Sequence, residues 1–329
     1  MVKLVIKMIK SLRRTILRRR FGTGALPGTS QAEAGLGNSF KGRKRFYDDV
    51  GVEKEKNGYV ITLDDRRLKT AKGITMRVPT EKLAFAIAGE WARQDESLEP
   101  ESMPIYGLSS ISLQINGHSR ALSEEHIMGY LETDTTCVRV TEQENLPLHL
   151  KQKETLDPIL EWFSKEFGPM ETSVGFMVPE VSTETRDIVR GVVSELTDWE
   201  IAALERATRT CKSLVLGLSL LRRHVTAEEA LNASRLEEDH QIENWGLLEN
   251  GHDFDINFAR LRVFSTSSFL WMIDPKLNEL AFPLKHSKAW NMELVNDGSN
   301  MRTEPVPPIR EDKIDELFID DSTTGFVRR

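Results

Sequence analysis

The hydrophobic period of the chain changes once, near residue 104, and that change limits the available folds more than any other feature. Before it, short segments with strand-like residues are separated by turn signals. Val50 to Glu53 and Tyr59 to Leu63 flank Asn57-Gly58, a pair that favours a tight hairpin turn because both residues tolerate positive φ. Asp64-Asp65 marks a second turn, followed by Arg67 to Thr70, Lys72-Gly73 and Ile74 to Val78. This is the pattern of a small antiparallel meander. Pro79 ends it, and Thr80 is placed to cap a helix carrying Leu83, Ala84, Ile87, Ala88 and Trp91 at helical spacing.

After the breaks at Pro100 and Pro104 the pattern is helical, over about 105–116, 120–131, 147–167, 183–196, 197–222, 226–249 and 252–272. Thr197 with Glu200, and Thr226 with Glu229, have the spacing of capping boxes. Two extended pieces interrupt the helices, Cys137 to Val140 and Ser173 to Val178. Strands followed by helices predict an α+β chain: a small N-terminal antiparallel β-rich domain at 44–104, then a larger all-helical domain at 105–273.

The two ends read differently. Residues 1–40 hold eight Lys or Arg against one acid, a charge of +7, whereas the whole chain carries −7, leaving −14 for residues 41–329. A basic, acid-poor leader whose cations interleave with Leu4, Val5, Ile6, Ile9, Leu12 and Ile16 is the pattern of an organellar transit peptide. A disordered nucleic-acid-binding arm is the alternative, but nothing in the acidic body continues a basic footprint. Residues 1–43 are therefore assigned to transit peptide and linker. Residues 274–329 are rich in Pro and acids and are assigned to a mostly flexible tail, with Ile314, Leu317, Phe318 and Ile319 as a short docking helix.

Signatures of chemistry are scarce. There is no phosphate loop, no Gly-x-Gly-x-x-Gly and no Gly-x-Ser-x-Gly elbow. The seven histidines include no pair at i, i+4 around a glutamate. Cys137 beside Asp134 and Arg139 is a candidate nucleophile, weighed against a small buried apolar residue in a strand. No metal and no cofactor is expected.

The segment from Arg235 to Gly246 is the functional candidate. On one continuous helix from Thr226, Ala227, Leu231, Ile242 and Trp245 fall in a narrow arc with Glu238 at its centre, while Glu237 and Gln241 flank it with Ala230 and Leu248. A carboxylate in an apolar stripe loses hydration and needs a partner. That partner is either a cation inside the protein, such as Arg235, or a group on another protein.

Several segments together resemble the mitochondrial ATP synthase assembly factor two family. They are Arg45-Phe46-Tyr47, Gly58 to Thr70, Val78-Pro79-Thr80, Ile87 to Trp91 with Gln94, and Met103-Pro104. Tyr130 to Thr135, Asp157-Pro158 and Glu237-Glu238…Gln241-Ile242…Trp245-Gly246 complete the set. Asp65 stands where the family commonly has Gly, which a left-handed aspartate would tolerate. The resemblance implies a non-enzymatic chaperone in the mitochondrial matrix. It would hold the newly imported ATP synthase alpha subunit until the beta subunit replaces it. It would be monomeric when free, without nucleic acid and without stable membrane insertion. Matching the motif makes Glu238, Glu237, Gln241 and Trp245 the partner-binding candidates. The competing readings are a stably bound structural subunit of an organellar complex and a hydrolase using carboxylates or Cys137.

Overall fold

The protein is described from a computed structural model covering residues 42–174, 179–246 and 252–274. The leader, the docking-helix candidate in the tail, Leu248 and the last four residues of the extended piece at 173–178 lie outside the described residues.

The meander forms as the turn signals require. Strands β1 (Val50–Glu55) and β2 (Gly58–Leu63) pair antiparallel, with Glu55 opposite Gly58 at the turn. Gly58 has φ 129°, and a Cβ there would lie 2.5 Å from the Val78 carbonyl oxygen, so both backbone angle and space select glycine. β3 (Arg66–Arg67) and β4 (Arg77–Val78) share the other edge of β2. The second turn corrects one expectation. Asp64, not Asp65, adopts the left-handed conformation, at φ 51°. Its carboxylate accepts the backbone N–H groups of Asp48 and Asp49, both at 2.9 Å, which tie the turn to the start of β1 and hold its pKa below the usual carboxylate range.

Helix α1 (Glu81–Ala92) starts at Thr80, whose hydroxyl accepts from Leu83 N, and buries Leu83, Ala84, Ile87, Ala88 and Trp91. The helical part follows as α2 (Pro104–Gln114), α3 (Gly117–Gly129), α4 (Leu146–Phe167), α5 (Thr183–Glu195), α6 (Asp198–Cys211), α7 (Leu214–Leu221), α8 (Ala227–Ser234), α9 (Leu236–Trp245) and α10 (His252–Ile273). Strands β5 (Val138–Arg139) and β6 (Ser173–Val174) form a two-residue parallel pair among the helices. The architecture is α+β, with a β-rich start and a helical bulk.

Two of the expected helices are each broken in two. The span 197–222 breaks at Lys212, a non-glycine residue at φ 56°. Ser213 then caps α7 by accepting from Leu216 N. The span 226–249 breaks at Arg235, at φ −114° and ψ 8°. Its capping box forms as the spacing requires, with Thr226 and Glu229 bonded reciprocally.

Two apolar clusters fill the interior. One is built mainly on helical residues such as Phe163, Val189, Leu204, Val215 and Leu231. The other joins the sheet and α1 to Ile105, Tyr106 and Leu108 of α2, Ala202 and Ala203 of α6, and Phe269 and Leu270 of α10. The Thr80 hydroxyl donates to the Met272 carbonyl at 2.5 Å, a further tie between the sheet region and α10.

α6 and α7 pack closely at Gly217, where a Cβ would fall on the Thr208 hydroxyl and 3.2 Å from Leu204 Cδ1. Gly217→Ala is expected to lower stability by about 1–3 kcal/mol, because a full interior has no room for the methyl group. Urea unfolding followed by circular dichroism measures it. An unchanged midpoint would show that the two helices separate freely.

Candidate partner-binding site

The geometry of the site follows from the break at Arg235. This residue is buried, and its guanidinium reaches into the first turn of α9, where Nη1 donates to Glu238 Oε2 at 2.6 Å and Nη2 to Asp239 Oδ1 at 3.2 Å. The other oxygen of Glu238 accepts from Lys212 Nζ at 2.8 Å. Lys212 is the left-handed residue closing α6, and its carbonyl accepts from Thr135 Oγ1 at 3.2 Å. Glu238 therefore bridges two cations held by two backbone breaks.

This overturns the expectation of a carboxylate inside an apolar arc. The arc assumed one uninterrupted helix, and the break rotates α9 relative to α8. The Glu238 side chain is 41% exposed, and Glu237, Gln241 and Trp245 are exposed, Trp245 at 81%. Within α9 alone a shared face survives. Glu238, Gln241 and Trp245 stand at i, i+3 and i+7, on the side away from the buried His240.

His240 fixes which face of α9 turns inward. Asn145 caps α4 through Oδ1, which accepts from Leu148 N at 3.1 Å, so its amide nitrogen is left to donate to His240 Nε2 at 2.9 Å. The Asn244 amide nitrogen lies 3.0 Å from the same ring nitrogen. Lys151 of α4 pairs with Glu243 at 2.6 Å, and this hydrogen-bonded pairing lowers the pKa of Glu243 from its ordinary value. α9 thus lies along the first half of α4 and leaves the Glu238, Gln241 and Trp245 face to solvent.

Two other motif residues, Glu90 and Asp134, are buried struts, and a third, Asp157, pairs with a buried cation, roles their sequence pattern did not reveal. Glu90 of α1 is buried, and both carboxylate oxygens accept backbone N–H groups opening α2, Ile105 at 2.8 Å and Tyr106 at 2.7 Å. Burial pushes its pKa up to about 8, against those two bonds and the positive charges of Arg93 and Arg206. Asp134 is fully buried. Oδ1 accepts from the Thr136 backbone at 3.0 Å and hydroxyl at 2.7 Å, and Oδ2 from Val215 N at 3.0 Å at the start of α7. Burial raises its pKa against these bonds. Asp157 pairs with the buried Arg139 at 3.1 Å.

Cys137 lies in a 3-10 turn (Thr135–Cys137), not in the strand expected for it, and only 1% of it is exposed. Burial and the neighbouring Asp134 push its pKa up to about 12, so the thiol stays protonated. A protonated, buried thiol is a poor nucleophile. Among the described residues no cluster of three His, Cys, Asp or Glu is placed to hold a metal ion, and no helix is long and apolar enough to cross a membrane.

A profile described as the ATP12 chaperone protein matches residues 44–164. The mitochondrial protein atp12 of Schizosaccharomyces pombe is 30% identical over 235 residues, covering 68% of this chain and 81% of that protein. The chain belongs to the ATP12 chaperone family. This is the ATP synthase assembly factor two family that its motifs resemble. The mitochondrial ATP12 protein of Saccharomyces cerevisiae is 26% identical over 274 residues, covering 69% of this chain and 83% of that protein. The crystal structure of Atp12 from Paracoccus denitrificans superposes with a TM-score of 0.64 at 27% identity, covering 70% of this chain and 98% of that one. As an ATP12 family member the chain is an assembly chaperone of ATP synthase, not an enzyme. The names of the two fungal relatives support a mitochondrial location.

Proposed function

We propose that this chaperone works in the mitochondrial matrix, where it holds the free alpha subunit of ATP synthase until the beta subunit displaces it. The observation that carries the reading is the solvent face of α9, with Trp245 at 81% exposure beside Gln241 and the cation-held Glu238. Trp is enriched among the residues that dominate binding energy at interfaces. An alpha subunit without its neighbours would expose surface that self-associates, and covering it requires complementarity rather than chemistry. Release then follows when a larger interface competes. Glu237 adds charge next to this face.

Affinity capture of purified alpha subunit tests the reading, comparing wild type with Glu238→Lys and a thermal melt of each. The lysine would stand against Lys212 and Arg235, while Arg235 keeps Asp239 as its partner. Because Glu238 is partly exposed, stability is expected to change by no more than about 1 kcal/mol. Capture is expected to weaken at least tenfold, the usual scale for losing one side of an interfacial charge contact. Wild type that captures no alpha subunit would reject the proposed client. A mutant that captures normally would remove Glu238 from the interface.

A further inference from the structure

We propose that His240 positions the client-binding face: its neutral ring holds the second half of α9 against α4, and a proton on Nε2 releases it, so that client binding is lost on acidification. The inference rests on the alpha-subunit reading above and names the residue that controls the same face.

The seam between α4 and α9 fixes the state of the ring. An amide nitrogen only donates, so Nε2, which lies 2.9 Å from the Asn145 nitrogen and 3.0 Å from that of Asn244, accepts and carries no proton. Neither amide is free to turn over. The Asn145 oxygen is held by Leu148 N at the cap of α4. The Asn244 nitrogen also donates to the His240 carbonyl at 2.9 Å, where a turned amide would set oxygen against oxygen. The ring proton is therefore on Nδ1, which is buried and has no hydrogen-bond partner among the described residues. A second proton, on Nε2, would point at two amide nitrogens that cannot accept it.

The charges around the seam do not offset this. On α4, Glu144 turns back to Thr141, whose N–H and hydroxyl it accepts, and Lys151 adds a positive charge. His149, one turn beyond Asn145, donates Nδ1–H to the Val140 carbonyl at 2.9 Å, a bond that a proton on its own Nε2 leaves intact. On α9, Glu243 acts on the ring electrostatically, but it is exposed and engaged by Lys151. Glu238 and Asp239 are held by Arg235, and Glu237 is exposed.

The two halves of α9 are anchored differently. Arg235 and Lys212 hold the first turn through Glu238 and Asp239. The second half carries Gln241 and Trp245. His240 is its buried side chain, Ile242 is half-buried, and the exposed Lys151–Glu243 pair contributes little. Loss of the His240 bonds therefore frees the exposed part of the site and leaves the Glu238 anchor in place.

The test measures binding of purified alpha subunit to the intact chain by biolayer interferometry at about pH 7.5 and about pH 5.5, on either side of the ordinary histidine range, with a thermal melt at each. Wild type is expected to bind about tenfold more weakly at the acid pH. His240→Gln puts a carbonyl oxygen near the place of Nε2 and does not titrate, so its binding should change by less than about twofold. Asn145→Asp keeps a cap for α4 but offers the protonated ring an acceptor, and should still bind at the acid pH. Glu90 is present in all three chains, so its titration cancels from the comparison. Wild type that binds equally at both pH values, or three chains that weaken alike, would overturn the inference and leave the alpha-subunit reading standing. Wild type that captures nothing at the higher pH would reject the alpha-subunit reading alone, and hydrogen exchange of the free chain then decides. Protection of Glu243 to Trp245, corrected for intrinsic rates, should fall on acidification in wild type but not in His240→Gln. Unchanged protection in wild type would overturn the inference.

Discussion

Glu90→Ala is expected to lower the unfolding free energy by about 3–5 kcal/mol, enough to leave a typical domain marginal. The substitution strands the backbone N–H groups of Ile105 and Tyr106 in the interior, at the end of α2 where no intrahelical acceptor exists. It also releases the contact that joins α1 to α2. Urea unfolding at neutral pH is the measurement, and a loss below about 1 kcal/mol would show that water replaces the carboxylate. The same residue sets a pH dependence. Its folded pKa of about 8 lies above its unfolded value of 4.5, so between those values the folded state binds the extra proton. Its contribution is fully present below pH 4.5 and is lost as pH rises through 8. The slope approaches about −1.4 kcal/mol per pH unit at its steepest. Glu90→Gln removes the titrating group, and its stability should vary less between pH 5 and 8 than that of wild type. A wild-type profile rising with pH over that range would contradict the assignment.

Asp134→Ala is expected to cost about as much, roughly 3–5 kcal/mol, by a different route. The side chain holds together segments 81 residues apart, with the 3-10 turn at Thr136 on one oxygen and the α7 start at Val215 on the other. Without it the buried Val215 N–H has no acceptor, and α7 loses half of its cap. Hydrogen exchange at Val215 and Leu216 distinguishes this from a general loss of stability. Protection should fall first at Val215, whose acceptor is Asp134, and later at Leu216, whose acceptor is Ser213. Equal loss at both would mean that the carboxylate is not a separate cap.

These two residues show how much the sequence reveals. Features decided within four residues are legible: the Asn57-Gly58 hairpin, the Thr80 cap, and the boxes at Thr197 and Thr226 all form. Features decided at a distance are not. No glycine or proline marks the breaks at Lys212 and Arg235. α7 is capped by Ser213 locally and by Asp134 from far upstream, and at the start of α9 a buried guanidinium holds Glu238 and Asp239. A helical wheel drawn through Arg235 therefore placed Glu238 among apolar neighbours and Trp245 inside, whereas both face water. Within α9 the wheel holds, so Glu238, Gln241 and Trp245 still share a side. Glu90 and Asp134 were visible only as members of a family pattern, since nothing local distinguishes a capping carboxylate from a solvated one.

The cluster beneath the sheet has a consequence for the order in which the chain can become native. Its walls include Phe269 and Leu270, and the start of α1 is tied to the carbonyl of Met272. A polypeptide threaded across a membrane from its N-terminus delivers the strands first and these residues about two hundred positions later. Until α10 arrives, the strands and α1 lack one side of their interior and keep apolar surface open. The interior shared by the strands and α1 is therefore complete only once α10 is in place. The nascent assembly factor is itself, for that interval, a chain in need of shelter.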